Sequence, residues 1–160
     1  MPEKMLAAFA QALERFRQAL ETDAESDLLR AGCIQYFEFC FELAWKSIKV
    51  VAGRAGQLDC LSPRAALKQA FANRWIDEEE IWLDMLESRN LMAHTYSAEA
   101  ALQIYRHLAG YLPEMERLLQ VLEKELLKQR SDITAAQLST PPAAPHPVGL
   151  RPTTLPHGLH

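Results

Sequence analysis

Ile34-Gln35-Tyr36-Phe37-Glu38-Phe39-Cys40-Phe41-Glu42-Leu43-Ala44-Trp45-Lys46 is the stretch that decides the fold of this chain. Ile34, Phe37, Phe41 and Ala44 recur at steps of three and four, and Ile48 and Val51 continue the row. That is the period of an α-helix with one face in a core, not the alternation of a strand. Gln35, Glu38, Glu42, Lys46 and Lys49 form a polar stripe on the same helix, which is predicted from about residue 27 to 54. Tyr36, Phe39, Cys40, Leu43 and Val50 widen the apolar coverage past one face. A helix of this kind is either central or shared with a partner subunit. Ser26 is its expected N-cap, and Gly53 and Gly56 mark its end.

Working outward, residues from about 3 to 22 read as a first helix with Leu6, Phe9, Leu13, Phe16 and Leu20 on one side. Downstream, Ser62-Pro63 is a helix start, with Ser as N-cap and Pro as the first helical residue. That short third helix carries Ala66, Leu67, Ala70 and Phe71. Asp77 with Glu80 resembles a capping box that opens a fourth helix bearing Ile81, Trp82, Met85 and Leu86. Ser97 can cap a fifth helix, from about 98 to 127, with Leu102, Tyr105, Leu108, Leu112, Met115, Leu119, Leu122 and Leu126 as its stripe. Pro113 lacks the backbone donor and clashes with the preceding turn, which predicts a kink or short break near Gly110. The fold class is therefore all-α, an antiparallel bundle of about five helices with a core of Leu, Phe, Trp and Ala.

Bulk composition agrees. The chain has 160 residues, 49% of them hydrophobic and only 6 Gly, enough for one packed helical domain. Six of the nine prolines lie between 141 and 156. The expected division is a bundle over 1–128 and a flexible, Pro-rich tail over 129–160. His146, His157 and His160 sit in that tail, which reads as a spacer rather than a metal site. No run of 18 apolar residues is present, so no membrane association is expected. The amphipathic N-terminus does not read as a signal peptide, and the expected location is cytoplasmic. A net charge of −4 argues against general electrostatic coating of nucleic acid, so any RNA contact should be local. Cys33, Cys40 and Cys60 form no CxxC pair; Cys33 and Cys40 share a helix face and read as small buried hydrophobes. No metal and no cofactor are expected.

The run Arg89-Asn90-Leu91-Met92-Ala93-His94-Thr95-Tyr96 gathers four polar groups at the end of the fourth helix. An unperturbed His is suited to proton transfer near neutrality, and Arg presents a permanently charged fork that matches a phosphate. Together they form a minimal kit for metal-free RNA cleavage. However, Arg89 and His94 are five apart, about 140° around an ideal helix, whereas Asn90 and His94 share a face. Either the helix ends within the run, or Arg89 reaches round, or a second subunit supplies the missing partner. Spacing alone also allows a structural role: Arg89 paired with Glu87 or Asp84, His94 capping helix carbonyls, and Tyr96 anchoring a turn.

Read with the second helix, the run gains weight. Ile34 to Lys46 resembles the signature helix of the nucleotidyltransferase substrate-binding protein family, part of the HEPN superfamily. Ser62-Pro63-Arg64, Ala70-Phe71, Trp75-Ile76-Asp77 and Trp82-Leu83-Asp84-Met85 follow in the order that family shows. Arg89-Asn90 and His94-Thr95-Tyr96 then match its R-N-x3-H-x-Y motif, and the resemblance covers roughly residues 5 to 127. Ala93 stands where many members of the family carry Ser, which removes a hydroxyl.

The resemblance implies an up-and-down HEPN-like bundle that forms homodimers, with the R-x4-H motifs near the dimer cleft. It implies a toxin–antitoxin pairing with a minimal nucleotidyltransferase. It implies Arg89, His94 and Asn90 as catalytic residues of a metal-independent ribonuclease, and Tyr96 as the acceptor when the partner attaches AMP. The alternative is a non-catalytic substrate-binding subunit of a two-component nucleotidyltransferase. Tyr36, Phe39 and Trp45 would suit subunit contacts in either case, or ordinary core.

Overall fold

The computed structural model describes residues 1–94 and 97–139. It is an antiparallel, up-and-down bundle of five helices: α1 (Pro2–Leu20), α2 (Asp27–Arg54), α3 (Pro63–Ala72), α4 (Glu79–His94) and α5 (Ala98–Ser139). Each of the three predicted serine caps is in place. Ser26 Oγ accepts from Leu29 N at 3.2 Å, Ser62 Oγ from Ala65 N at 3.1 Å, and Ser97 Oγ from Ala100 N at 3.0 Å. Each satisfies one amide that the first helical turn would otherwise leave without a partner.

Helix α2 is the central element and packs against α1, α3, α4 and α5. Its predicted row of Ile34, Phe37, Phe41, Ala44, Ile48 and Val51 is buried throughout, with Cys40 beside it. Facing it are Phe9, Leu13 and Phe16 of α1, Trp82 and Met85 of α4, and Leu108, Met115 and Leu122 of α5, all in one continuous core. Phe37 meets both Phe16 and Tyr111, with ring centroids 6.4 Å and 5.2 Å away. Phe39, on the opposite side of α2, is exposed.

Two boundaries differ from the sequence reading. Helix α4 starts at Glu79, with Trp82 N donating to Glu78 O, and not at an Asp77 capping box. Packing decides this. Helix α3 closes with a bond from Trp75 N to Ala70 O across Arg74 at φ +61, and Trp75 and Ile76 then bury, which fixes the connecting turn before α4 can begin. Helix α5 is unbroken through Pro113 and continues to Ser139. Pro113 is exposed, and so is Ala109, whose carbonyl loses its helical donor. Water can serve that carbonyl, while buried Leu108, Tyr111 and Met115 hold the register on the core side.

Candidate active site at the end of the fourth helix

Helix α4 carries Arg89, Asn90 and His94 without interruption, so the helix does not end between Arg89 and His94. Arg89 turns toward α2, where its Nη2 forms an ion pair with Glu42 Oε1. Its Nη1 donates to Asn90 Oδ1 at 3.2 Å. The partner is thus neither Glu87 nor Asp84, the two carboxylates suggested by proximity in sequence. Arg89 does not reach round to His94 either. His94 is the last residue of α4 and exposed, and no side-chain hydrogen bond or ion pair joins it to another described residue. Tyr96 lies outside the described residues. The structure therefore brings Arg89 and Asn90 together and leaves His94 apart on the same helix.

Sequence reasoning missed Glu42 and Glu38. Glu42 Oε2 also accepts from Trp45 Nε1 at 3.1 Å and lies 3.7 Å from Lys46 Nζ. Trp45 is therefore committed through its indole N–H to the site's own carboxylate. One turn earlier, burial pushes the Glu38 carboxyl up from its ordinary value, and the Arg89 charge opposes that shift. Arg89 is thus paired with Glu42, and its charge also acts on Glu38 one turn earlier. The available signal was the polar stripe itself: a helix this apolar keeps Glu38 and Glu42 only on a face that has something to pair with.

A second polar cluster ties α4 to α5. The buried Tyr111 hydroxyl donates to Asp84 Oδ2 and lies 3.1 Å from Ser88 Oγ, while His107 Nδ1 lies 3.3 Å from Asp84 Oδ2. Burial, then the hydrogen bond to Asp84, pushes the Tyr111 phenol well above its ordinary range. Asp84, His107 and Tyr111 edge an open groove of about 500 Å³ that also reaches Glu80, Ile81, Arg106 and Gly110. Among the described residues no group of three or more His, Cys, Asp or Glu is placed to hold a metal ion.

The family model described as "nucleotidyltransferase substrate binding protein like" matches residues 4–124, a span that includes all of α2, α3 and α4. The chain belongs to this family. A curated relative, probable ribonuclease HepT of Haemophilus influenzae, is 31% identical over 106 residues, covering 61% of this chain and 70% of that protein. A solved structure from Thermus thermophilus superposes with TM-score 0.61 at 29% identity, covering 76% of this chain and 98% of that one. A Haemophilus influenzae structure, described as revealing the fold of a substrate binding domain of a nucleotidyltransferase, superposes with TM-score 0.63 at 25% identity, covering 74% and 98%. The nucleotidyltransferase substrate-binding family thus accounts for the bundle from α1 to most of α5. Residues 125–139, the last part of α5, lie beyond the family match. Among the described residues no helix is long and apolar enough to cross a membrane.

Proposed function

We propose that this chain is a HEPN-type, metal-independent endoribonuclease that acts as a cytoplasmic homodimer. In this reading it is the toxin-like half of a pair whose other member is a minimal nucleotidyltransferase. The observation that carries the reading is the joined Arg89–Asn90 pair on the helix that ends in an exposed His94, in a relative of a probable ribonuclease. His94 takes the proton from a ribose 2′-hydroxyl, whose oxygen attacks phosphorus. The 5′-oxygen leaves and takes up a proton, from a protonated His94 or from water, giving a 2′,3′-cyclic phosphate and a 5′-hydroxyl. Arg89 holds the charge that builds on the phosphoryl oxygens, and Asn90 orients Arg89 or contacts the phosphate. Because Arg89 and His94 point apart within one protomer, a composite site across a two-fold axis fits better than a site within one chain. Tyr96 is the proposed AMP acceptor through which the partner silences the enzyme.

Purified protein without its partner is expected to cleave RNA in EDTA and leave cyclic phosphate ends. Replacing either Arg89 or His94 by Ala should lower the rate by roughly 10²-fold or more. Unchanged cleavage in both variants would sink the reading.

The second reading is a non-catalytic subunit that positions substrate for a separate nucleotidyltransferase. It is favoured by the Arg89–Glu42 pair, which neutralises the guanidinium in the protomer, and by the substrate-binding description of the structural relative. Stable co-purification with the partner, with no RNA cleavage by the isolated chain, would select it.

A further inference from the structure

Arg89 is the group the ribonuclease reading places on the scissile phosphate, yet its charge is already taken. Glu42 holds it in an ion pair in which both side chains are about a third exposed, at 32% and 30%. The Arg89 charge also acts on the Glu38 carboxyl, against the upward push of burial. Glu42 is itself fastened, because the Trp45 indole donates to its other oxygen and Lys46 stands 3.7 Å away. The carboxylate is thus held in place beside Arg89 instead of being free to follow it. An RNA phosphate and Glu42 want the same donors, since both are anions that match the guanidinium fork.

Resting on the ribonuclease reading, we propose that Glu42 is a built-in competitor for the substrate phosphate. RNA must displace the Glu42 carboxylate from Arg89, and this displacement sets how tightly the site takes a phosphodiester. The contact weakens RNA binding by the resting protein without touching the chemistry. It also explains why an acidic chain with a single Arg in its motif need not bind RNA indiscriminately: the cation is presented only to a ligand able to outcompete a tethered carboxylate.

The competition has a signature in salt dependence. When a phosphate takes Arg89 from Glu42, the freed carboxylate falls back on Lys46 and on cations from solvent, which offsets part of the cation release from the RNA. With Gln at position 42 nothing is recruited, and the salt slope of single-strand binding should steepen, by at most about 0.7, one phosphate contact. Removing a competing ion pair of this exposure should tighten binding by roughly fivefold.

The test is binding of a fully 2′-O-methylated RNA decamer, which cannot be cleaved, to the full-length protein across a salt series. Glu42→Gln keeps an acceptor for Trp45 and should bind about fivefold tighter with the steeper slope. Adding Arg89→Ala to Glu42→Gln should abolish both gains. Glu42→Asp keeps the charge but shortens the arm, should fall between the two, and serves if the Gln variant does not fold. Glu87→Gln removes a carboxylate from the exposed side of α4 and should change neither affinity nor slope. Equal or weaker binding by both Glu42 variants overturns the proposal, as does a gain of the same size in Glu87→Gln. Cleavage of unmodified RNA by the wild-type protein is scored separately. If it is absent while the Arg89-dependent gain is present, the ribonuclease reading fails and the competition stands.

Discussion

Arg74 holds φ +61, in the left-handed region where a β-carbon crowds the following carbonyl. It does so because the turn from α3 into buried Trp75 requires it. Arg74→Gly is expected to raise stability by about 1 kcal/mol, read from urea unfolding, with no comparable gain in Arg74→Ala. At Cys40 the relevant physics is desolvation, which pushes the thiol up to about 12 from its ordinary 9.0. The native state keeps a proton that the unfolded chain loses earlier. This contribution to stability is therefore fully present below about pH 9 and is lost as the pH rises toward 12. Native Cys40 should resist alkylation at pH 8, and Cys40→Ala should flatten the alkaline fall in unfolding free energy; an unchanged alkaline limb would contradict the assignment. At this scale little was legible beforehand. Arg74 carries no sequence mark of its φ. Glu42 was visible as a polar residue but not as the partner of a residue 47 positions away, because ion pairs between helices depend on how the helices dock.

Elements were read more easily, because their signals are local. Ser26, Ser62 and Ser97 cap as expected, since a serine ahead of an apolar period needs only its own first turn to act. The breadth of apolar residues on α2 left two readings, central or shared with a partner subunit, and its packing against α1, α3, α4 and α5 makes it central. The failures came where tertiary packing overrides a local rule: the Asp77 box lost to the buried Trp75–Ile76 turn, and Pro113 was absorbed on an exposed helix face. Between elements, the α4–α5 contact rests on the Tyr111 hydroxyl, buried between Asp84 and Ser88. Tyr111→Phe leaves buried Ser88 without its partner and Asp84 with His107 alone, and should cost about 1–3 kcal/mol in chemical denaturation. Asp84→Asn keeps an acceptor and should cost less; the reverse order would mean that charge, not the hydrogen bond, holds the helices.

For the whole molecule, five helices around α2 were predictable, and the family resemblance added the motif that spacing alone left open. The proposed division of labour between two protomers has no mark in the sequence, because a single chain does not encode a symmetry axis in any local pattern. If the site is composite, mixing inactive Arg89→Ala and His94→Ala proteins under conditions that exchange subunits should restore cleavage. Each mixed dimer then holds one site with both wild-type groups and one with neither. Failure of the mixture to recover activity, with subunit exchange verified, would confine the site to one chain.

Ser88 and Arg89 are consecutive residues that grip opposite neighbours, Ser88 through Tyr111 of α5 and Arg89 through Glu42 of α2. A rod keyed on two sides at one level cannot spin about its own axis without shearing a key. Helix α4 therefore presents His94 at a fixed azimuth, about 140° from Arg89, and any motion that changes this angle must bend the chain beyond residue 89. Until a ligand takes Arg89 from Glu42, whatever approaches this end meets a fixed compass bearing rather than a swivel.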